Sequence, residues 1–268
     1  MSRPMNVLVL TDLSDVAKNA GSYAVQFLAH TPAVFHMLNI RLFNPGHSGE
    51  AFDPETEKLA LKNLKQRAAE LQEISTNKQH EFKVHYSEND LLGATRNYVA
   101  AKEIDLIVMG AAHKGHSPHT IIGNHTYEMI KKIRCNVLAV AENCKFDPLQ
   151  NLILPIDYSA SIEGKTFNFL KRRGVAEKAA ITVVEMEKTI QDEPGRKFFG
   201  EINDRKIHLL KMETSEAFSE KQLQQVQKRF ELIVLLGKNI GICDELLHTE
   251  HGLCSKVALN LPILVLHE

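Results

Sequence analysis

The chain has 268 residues, 44% of them hydrophobic and 24% charged, enough for one large domain or two small ones, each with its own core. A formal net charge of -1 supplies no global basic field for nucleic acid, and a 6% aromatic content without tryptophan argues against base-stacking platforms. No apolar run approaches the roughly 18 residues that a membrane helix needs.

The N-terminus, "MSRPMNVLVLTD", enters a strand-like run directly and lacks the flanks of a signal peptide, so the expected location is the cytoplasm. Val7 to Leu10 is a continuous apolar run, as in a strand covered on both faces. Ser14 can cap the next helix, with Asp15 favourable in its first turn. Ala17, Ala20, Ala24, Phe27 and Leu28 then recur at three-and-four spacing and form one apolar stripe. "AVFHMLNI", Ala33 to Ile40, reads as the second strand. Residues 54–74 read as a long helix, with Leu59, Leu64, Ala68 and Leu71 assigned to one side. "EFKVHYS" alternates like a strand, "LLGATRNYVAAKE" is helical, and "LIVM" is the next buried strand. A helix from about Asn124 to Ile133 ends in Lys131, Lys132 and Arg134, which suit its negative C-terminal pole. "VLAV" closes the unit.

The plan then recurs. "NVLVLTDLS" matches "NLILPIDYS", pairing Asn6 with Asn151, Asp12 with Asp157 and Ser14 with Ser159. "DLIVMG", ending at Gly110, matches "ELIVLLG", ending at Gly237. "CNVLAVAE" matches "LPILVLHE", which ends at Glu268. Three matched segments in one order indicate a duplicated domain, with the seam in the polar "ENCKFDPLQ". The expected units are residues 1–145 and a shorter 146–268, whose middle, Glu187 to Lys211, lacks room for an equally long second helix. Alternating strands and helices imply an α/β fold of two tandem Rossmann-like domains, each a mostly parallel five-stranded sheet flanked by helices.

In such a sheet, ligands bind beyond the carboxyl ends of the strands where strand order switches. In the first unit, Thr11 to Ser14, Leu38 to Ile40 and the loop from Gly110 to Thr126 should converge there. That loop leads into a helix, whose free N–H groups and positive pole favour an anion. Gly123 permits close backbone approach, and Asn124 and Thr126 offer side-chain donors to phosphate oxygens.

The order of "LTDLS", "MLNI", "DLIVMG" and "GNHT" followed by "EMIKKIRCNVLAV" resembles the universal stress protein family, adenine-nucleotide-binding Rossmann-like proteins. The resemblance covers nearly the whole chain as two tandem copies. The family's pattern is Gly, two residues, Gly, nine residues, Gly, then Ser or Thr. On the first unit it places Gly110 and Gly123 at the outer glycines, His113 at the second and Asn124 at the Ser/Thr position. The resemblance also implies Asp12 near the ribose and adenine, and Ile40 offering backbone groups to the adenine. With two positions altered, the expected binding of ATP, ADP or AMP is weak, and it needs no metal. In the second unit Gly237 is assigned the first position, Ile240 replaces the second glycine, and Glu250 and His251 replace the final pair. Glu250 sets a carboxylate where phosphate should sit.

Other chemistry finds little footing. His113, His116, His119 and His125 cluster, but their spacing matches no familiar metal site, and polar residues on an exposed loop account for them. The cysteines at 135, 144, 243 and 254 form no CxxC pair. No GxSxG, HExxH or Walker A sequence is present, so no catalytic residue is assigned. The expected function is a non-enzymatic stress-response or regulatory protein binding a nucleotide in its N-terminal domain; the alternative is a nucleotide-independent module acting through an unknown protein partner. The resemblance further implies pairing of the last strands of two domains, here "VLAV" beside "ILVL" as an intramolecular pseudo-dimer. A homodimer of the whole chain is compatible with this.

Overall fold

Short aliphatic runs, too apolar to face water on either side, become the inner strands of one ten-stranded sheet in the computed structural model. The structure describes residues 3–41, 54–111, 124–156, 164–172, 174–186, 207–212, 228–238 and 261–267. The N-terminal half supplies β1 (Met5–Leu10), β2 (Ala33–Ile40), β3 (His80–Ser87), β4 (Leu106–Gly110) and β5 (Asn136–Val140). The C-terminal half supplies β6 (Asn151–Ile156), β7 (Ala180–Met186), β8 (Ile207–Met212), β9 (Leu232–Leu236) and β10 (Ile263–Leu266). Their order is β3-β2-β1-β4-β5-β10-β9-β6-β7-β8. Every ladder is parallel except β5 with β10, which is antiparallel.

The two halves therefore repeat one winding, and their last strands meet as expected from "VLAV" and "ILVL". Ile263 lies opposite Ala139, Leu264 opposite Leu138 and Val265 opposite Val137. All six side chains are at most 1% exposed, so the junction is a continuous hydrophobic core rather than a wet contact. The matched asparagines repeat their bonding too. Asn6 N donates to Asp105 Oδ2 at 2.9 Å, and Asn151 N donates to Glu231 Oε2 at 2.6 Å. Asp105 N returns a bond to Asn6 O, and Glu231 N does the same to Asn151 O.

Helices α1 (Asp15–Phe27), α2 (Pro54–Ile74), α3 (Leu91–Ala101) and α4 (Asn124–Lys132) accompany the first five strands. Helix α1 buries the anticipated stripe and packs on β4 and β5. In α2 the stripe differs from expectation. Leu64 and Leu71 are buried and Leu61 and Ala68 pack beside them, but Leu59 is 59% exposed. Five residues turn a helix through about 500°, so Leu59 falls roughly 140° from Leu64 and faces water. Among the described residues, β6 is followed by a 3₁₀ turn (Gly164–Phe167) and α5 (Asn168–Lys171).

The halves also touch at the amino ends of their strands. Gly174 has φ 81°, and a Cβ there would lie 2.8 Å from the His30 carbonyl oxygen, so the approach admits only glycine. Arg172 Nη2 donates across the seam to Asp105 Oδ1 at 2.9 Å, and Phe146 of the connector stands edge-on to Tyr23, 5.4 Å between centroids.

Candidate functional site

Strand β1 lies between β2 and β4, and the chain winds outward from it in both directions. In open α/β sheets such a switch marks the ligand crevice, at the carboxyl ends of the strands. Val9 is level with Met37 of β2 and Val108 of β4. Asp12 and Ile40 each lie three residues past that level, and Gly110 two. With strands about 4.8 Å apart, all three stand at one edge within roughly two strand spacings.

The turn after β1 is tightly specified. Thr11 N donates to Leu38 O at 3.0 Å, and Asn39 Nδ2 donates to Thr11 O at 2.7 Å, tying the turn to β2. Leu13 adopts φ 67°, unusual for a residue with a branched side chain. Its N–H donates to Thr11 Oγ1, and Ser14 N donates to Asp12 Oδ1, both at 3.0 Å. Ser14 Oγ then caps α1 by accepting from Ala17 N at 3.3 Å, as anticipated. Asp12 is exposed, with one carboxylate oxygen holding the turn. Asn39 is the residue that sequence reasoning passed over; an amide just before the end of a buried strand was its signal.

Gly110 serves packing. A Cβ there would lie 2.5 Å from Val16 Cγ1, so the glycine lets α1 approach β4. Thr126 is 3% exposed, and its hydroxyl donates to Gly110 O at 2.8 Å. That bond uses its one proton and pins the start of α4 to the end of β4. Asn124 is the first residue of α4. His113 and Gly123 lie outside the described residues.

In the C-terminal half the sheet register corrects an assignment. Ile107 faces Val137 as Ile233 faces Ile263, and counting forward sets Gly110 opposite Val140 but Leu236 opposite Leu266. Ala111 N donates to Val140 O, and Gly237 N to Leu266 O. Gly237 is therefore the counterpart of Ala111, and the counterpart of Gly110 is Leu236. A Cβ on Gly237 would lie 2.4 Å from His267 Cε1, so this glycine makes room for an imidazole. Asp157, Ile240, Glu250 and His251 lie outside the described residues.

Away from the crevice, His36 Nδ1 and His85 Nε2 are 3.1 Å apart, and Tyr98 of α3 leans on the His85 ring. Burial, then His85, Lys83 and Lys102, push His36 down to about 4; burial also lowers His85. Two neutral imidazoles can share one N–H, which makes this a structural hydrogen bond at neutral pH. Burial pushes the Cys135 and Cys144 thiols up to about 12, leaving them protonated and unreactive. Among the described residues there is no group of three or more His, Cys, Asp or Glu able to hold a metal ion, and no helix long and apolar enough to cross a membrane.

Residues 4–141 match the model of the universal stress protein family. A universal stress protein from Archaeoglobus fulgidus is similar over 97% of this chain and 95% of its own, at 14% identity and a TM-score of 0.64. A functionally unknown protein from Pseudomonas aeruginosa is similar over 98% of this chain and 92% of its own, at 16% identity and a TM-score of 0.56. A universal stress protein from Lactobacillus plantarum shares 24% identity over 52% of this chain and 99% of its own, with a TM-score of 0.37. No curated protein matches. The two full-length likenesses show the tandem α/β fold, and the family match spans the half that carries Asp12, Ile40, Gly110 and Thr126: the chain belongs to the universal stress protein family.

Proposed function

We propose that this is a non-enzymatic cytoplasmic stress-response protein that binds an adenine nucleotide weakly in its N-terminal unit, residues 1–145. The observation that carries this reading is the gathering of Asp12, Ile40 and Gly110 at the carboxyl edge of β1, β2 and β4, followed by the start of α4. Asp12 can accept from ribose hydroxyls, the backbone at Ile40 can pair with the base, and the first N–H groups of α4 suit a phosphate. No metal is required. Weakness follows from the donor set: the Thr126 hydroxyl is committed to Gly110 O, and His113 and Asn124 depart from the family pattern. AMP and ADP should be held about as well as ATP.

The second unit, residues 146–268, is proposed to bind no nucleotide. Leu236 stands where the first glycine is needed, and the family's sequence pattern falls on Glu250 where a neutral residue is expected. One observation favours the alternative, a nucleotide-independent interaction module: Val16 and His267 already account for Gly110 and Gly237 without a ligand. Mass spectrometry of gently purified protein separates the two. Co-bound adenine nucleotide supports the first, and its absence together with no titratable binding supports the second.

A further inference from the structure

The amino ends of the strands, at the pole opposite the crevice, carry a groove of about 1530 Å³ along the seam between the two halves. One wall is the chain entering β1 with the α1–β2 and α2–β3 turns. The other is the connector and the turn between α5 and β7. Its floor is apolar, with Phe27 and Val175 buried and Phe146 and Leu149 half-buried. Lys78 and Lys178 stand exposed on its rim.

The seam gives the groove a charge. Arg3 donates through Nη1 and Nη2 to Asp105 at 3.1 and 2.9 Å, and Arg172 donates through Nη2 to the same carboxylate at 2.9 Å. Asp105, 10% exposed, also accepts the N–H of Asn6. Two guanidiniums, 49% and 38% exposed, thus share one carboxylate, leaving a positive charge over. Each guanidinium has five N–H donors, and these bonds use only some of them. Among the described lining residues Glu177 is the one carboxylate, against Arg3, Arg172, Lys78 and Lys178. In a chain of net charge -1 this is a local excess that fits an anion.

We infer that the groove binds an extended acidic segment of a partner protein, with a carboxylate on the Arg3–Arg172 pair and neighbouring apolar side chains on the Phe146–Leu149 floor. The volume exceeds the roughly 300–1,000 Å³ usual for a small-molecule pocket, and an open trough suits an extended chain. A membrane surface is disfavoured because the groove is concave and its apolar residues are buried (Phe27, Val175) or half-buried (Phe146, Leu149), whereas a bilayer is met by exposed apolar side chains. The site takes one arginine and one wall from each half, so only the joined chain forms it.

The test uses the full chain and two labelled peptides, one alternating Glu with Leu and Phe, the other with Lys in place of Glu. By fluorescence anisotropy the acidic peptide should bind roughly tenfold more tightly, and less so as salt rises. The Lys78→Glu/Lys178→Glu variant changes only exposed rim residues; it should weaken binding about fivefold or more while leaving ATP binding unchanged. Hydrogen exchange should show protection by the peptide at 76–79 and 172–178. Equal binding of the two peptides, indifference to the charge reversal, or protection elsewhere would overturn the inference. So would a failure to bind peptide alongside charge-dependent binding to phosphatidylglycerol vesicles, which would make the groove a lipid-headgroup surface.

Discussion

Leu13, at φ 67°, is held by the Thr11 and Asp12 side chains, so the residue proposed to meet the ribose also shapes the turn that presents it. The Ser14 cap was legible because a short hydroxyl side chain after a buried strand commonly caps the helix that follows, whereas the turn bond of Asp12 came only from the structure. The use of Gly110 was not, because a sequence does not say which neighbour fills the space a glycine leaves. The structure names Val16, and this predicts that Gly110→Ala lowers stability by about 1–3 kcal/mol in denaturant titration. Val16→Ala added to it should restore part of the loss; no recovery would sink the packing account. Thr126→Val, which leaves the Gly110 carbonyl without its donor, should cost about 1–3 kcal/mol, and Thr126→Ser much less. His36 sets a pH dependence. It stays neutral in the fold down to about pH 4, whereas an unfolded histidine takes its proton near 6.5. Between these values the unfolded chain binds more protons, so stability present above 6.5 is lost as pH falls, by on the order of 3 kcal/mol. Burial lowers His80 and His85 as well, with the same sign. Urea unfolding from neutrality to about pH 4 should show this slope, and His36→Gln should flatten it; an unchanged slope in the variant would remove His36 as its source.

At the scale of elements, strands were the most legible features. A parallel strand covered on both faces must be apolar throughout, and "VLVL", "LIVM", "VLAV" and "ILVL" leave no polar position for a solvated face. Helix phase was less legible: Leu59 shares a helix with Leu64 but lies on its far side. The register of β9 was hidden because "ELIVLLG" holds one residue more than "DLIVMG"; matching the glycines slipped the comparison by one position, and only the hydrogen-bonded partners reset it. The β5–β10 ladder yields a prediction about the proposed division at residue 145. Residues 1–145 expressed alone would expose the edge of β5, whose Val137 to Val140 are buried here. Such an edge recruits another strand, so this fragment should self-associate in sedimentation velocity. A stable monomer would show that the unit does not need its partner.

At the scale of the whole molecule, the two halves share a winding but differ in sequence at the switch point. One keeps Asp12, Ile40 and Gly110 at the switch point; the other has Leu236 where Gly110 stands. The Leu236 difference emerged only from the register, because the extra residue in "ELIVLLG" hides it in the sequence. An adenine nucleotide is proposed to bind the N-terminal half alone, and titration calorimetry on the full chain decides this. ATP, ADP and AMP would be titrated into the unaltered chain, Asp12→Ala, Gly123→Glu and Asp157→Ala. A lost charge-assisted bond is worth about 1.5–3 kcal/mol and an opposing carboxylate adds repulsion, so Gly123→Glu and Asp12→Ala should weaken binding at least roughly tenfold, with Asp157→Ala unchanged. Loss of binding in Asp157→Ala alone, or no binding by any of the four proteins, would contradict the account.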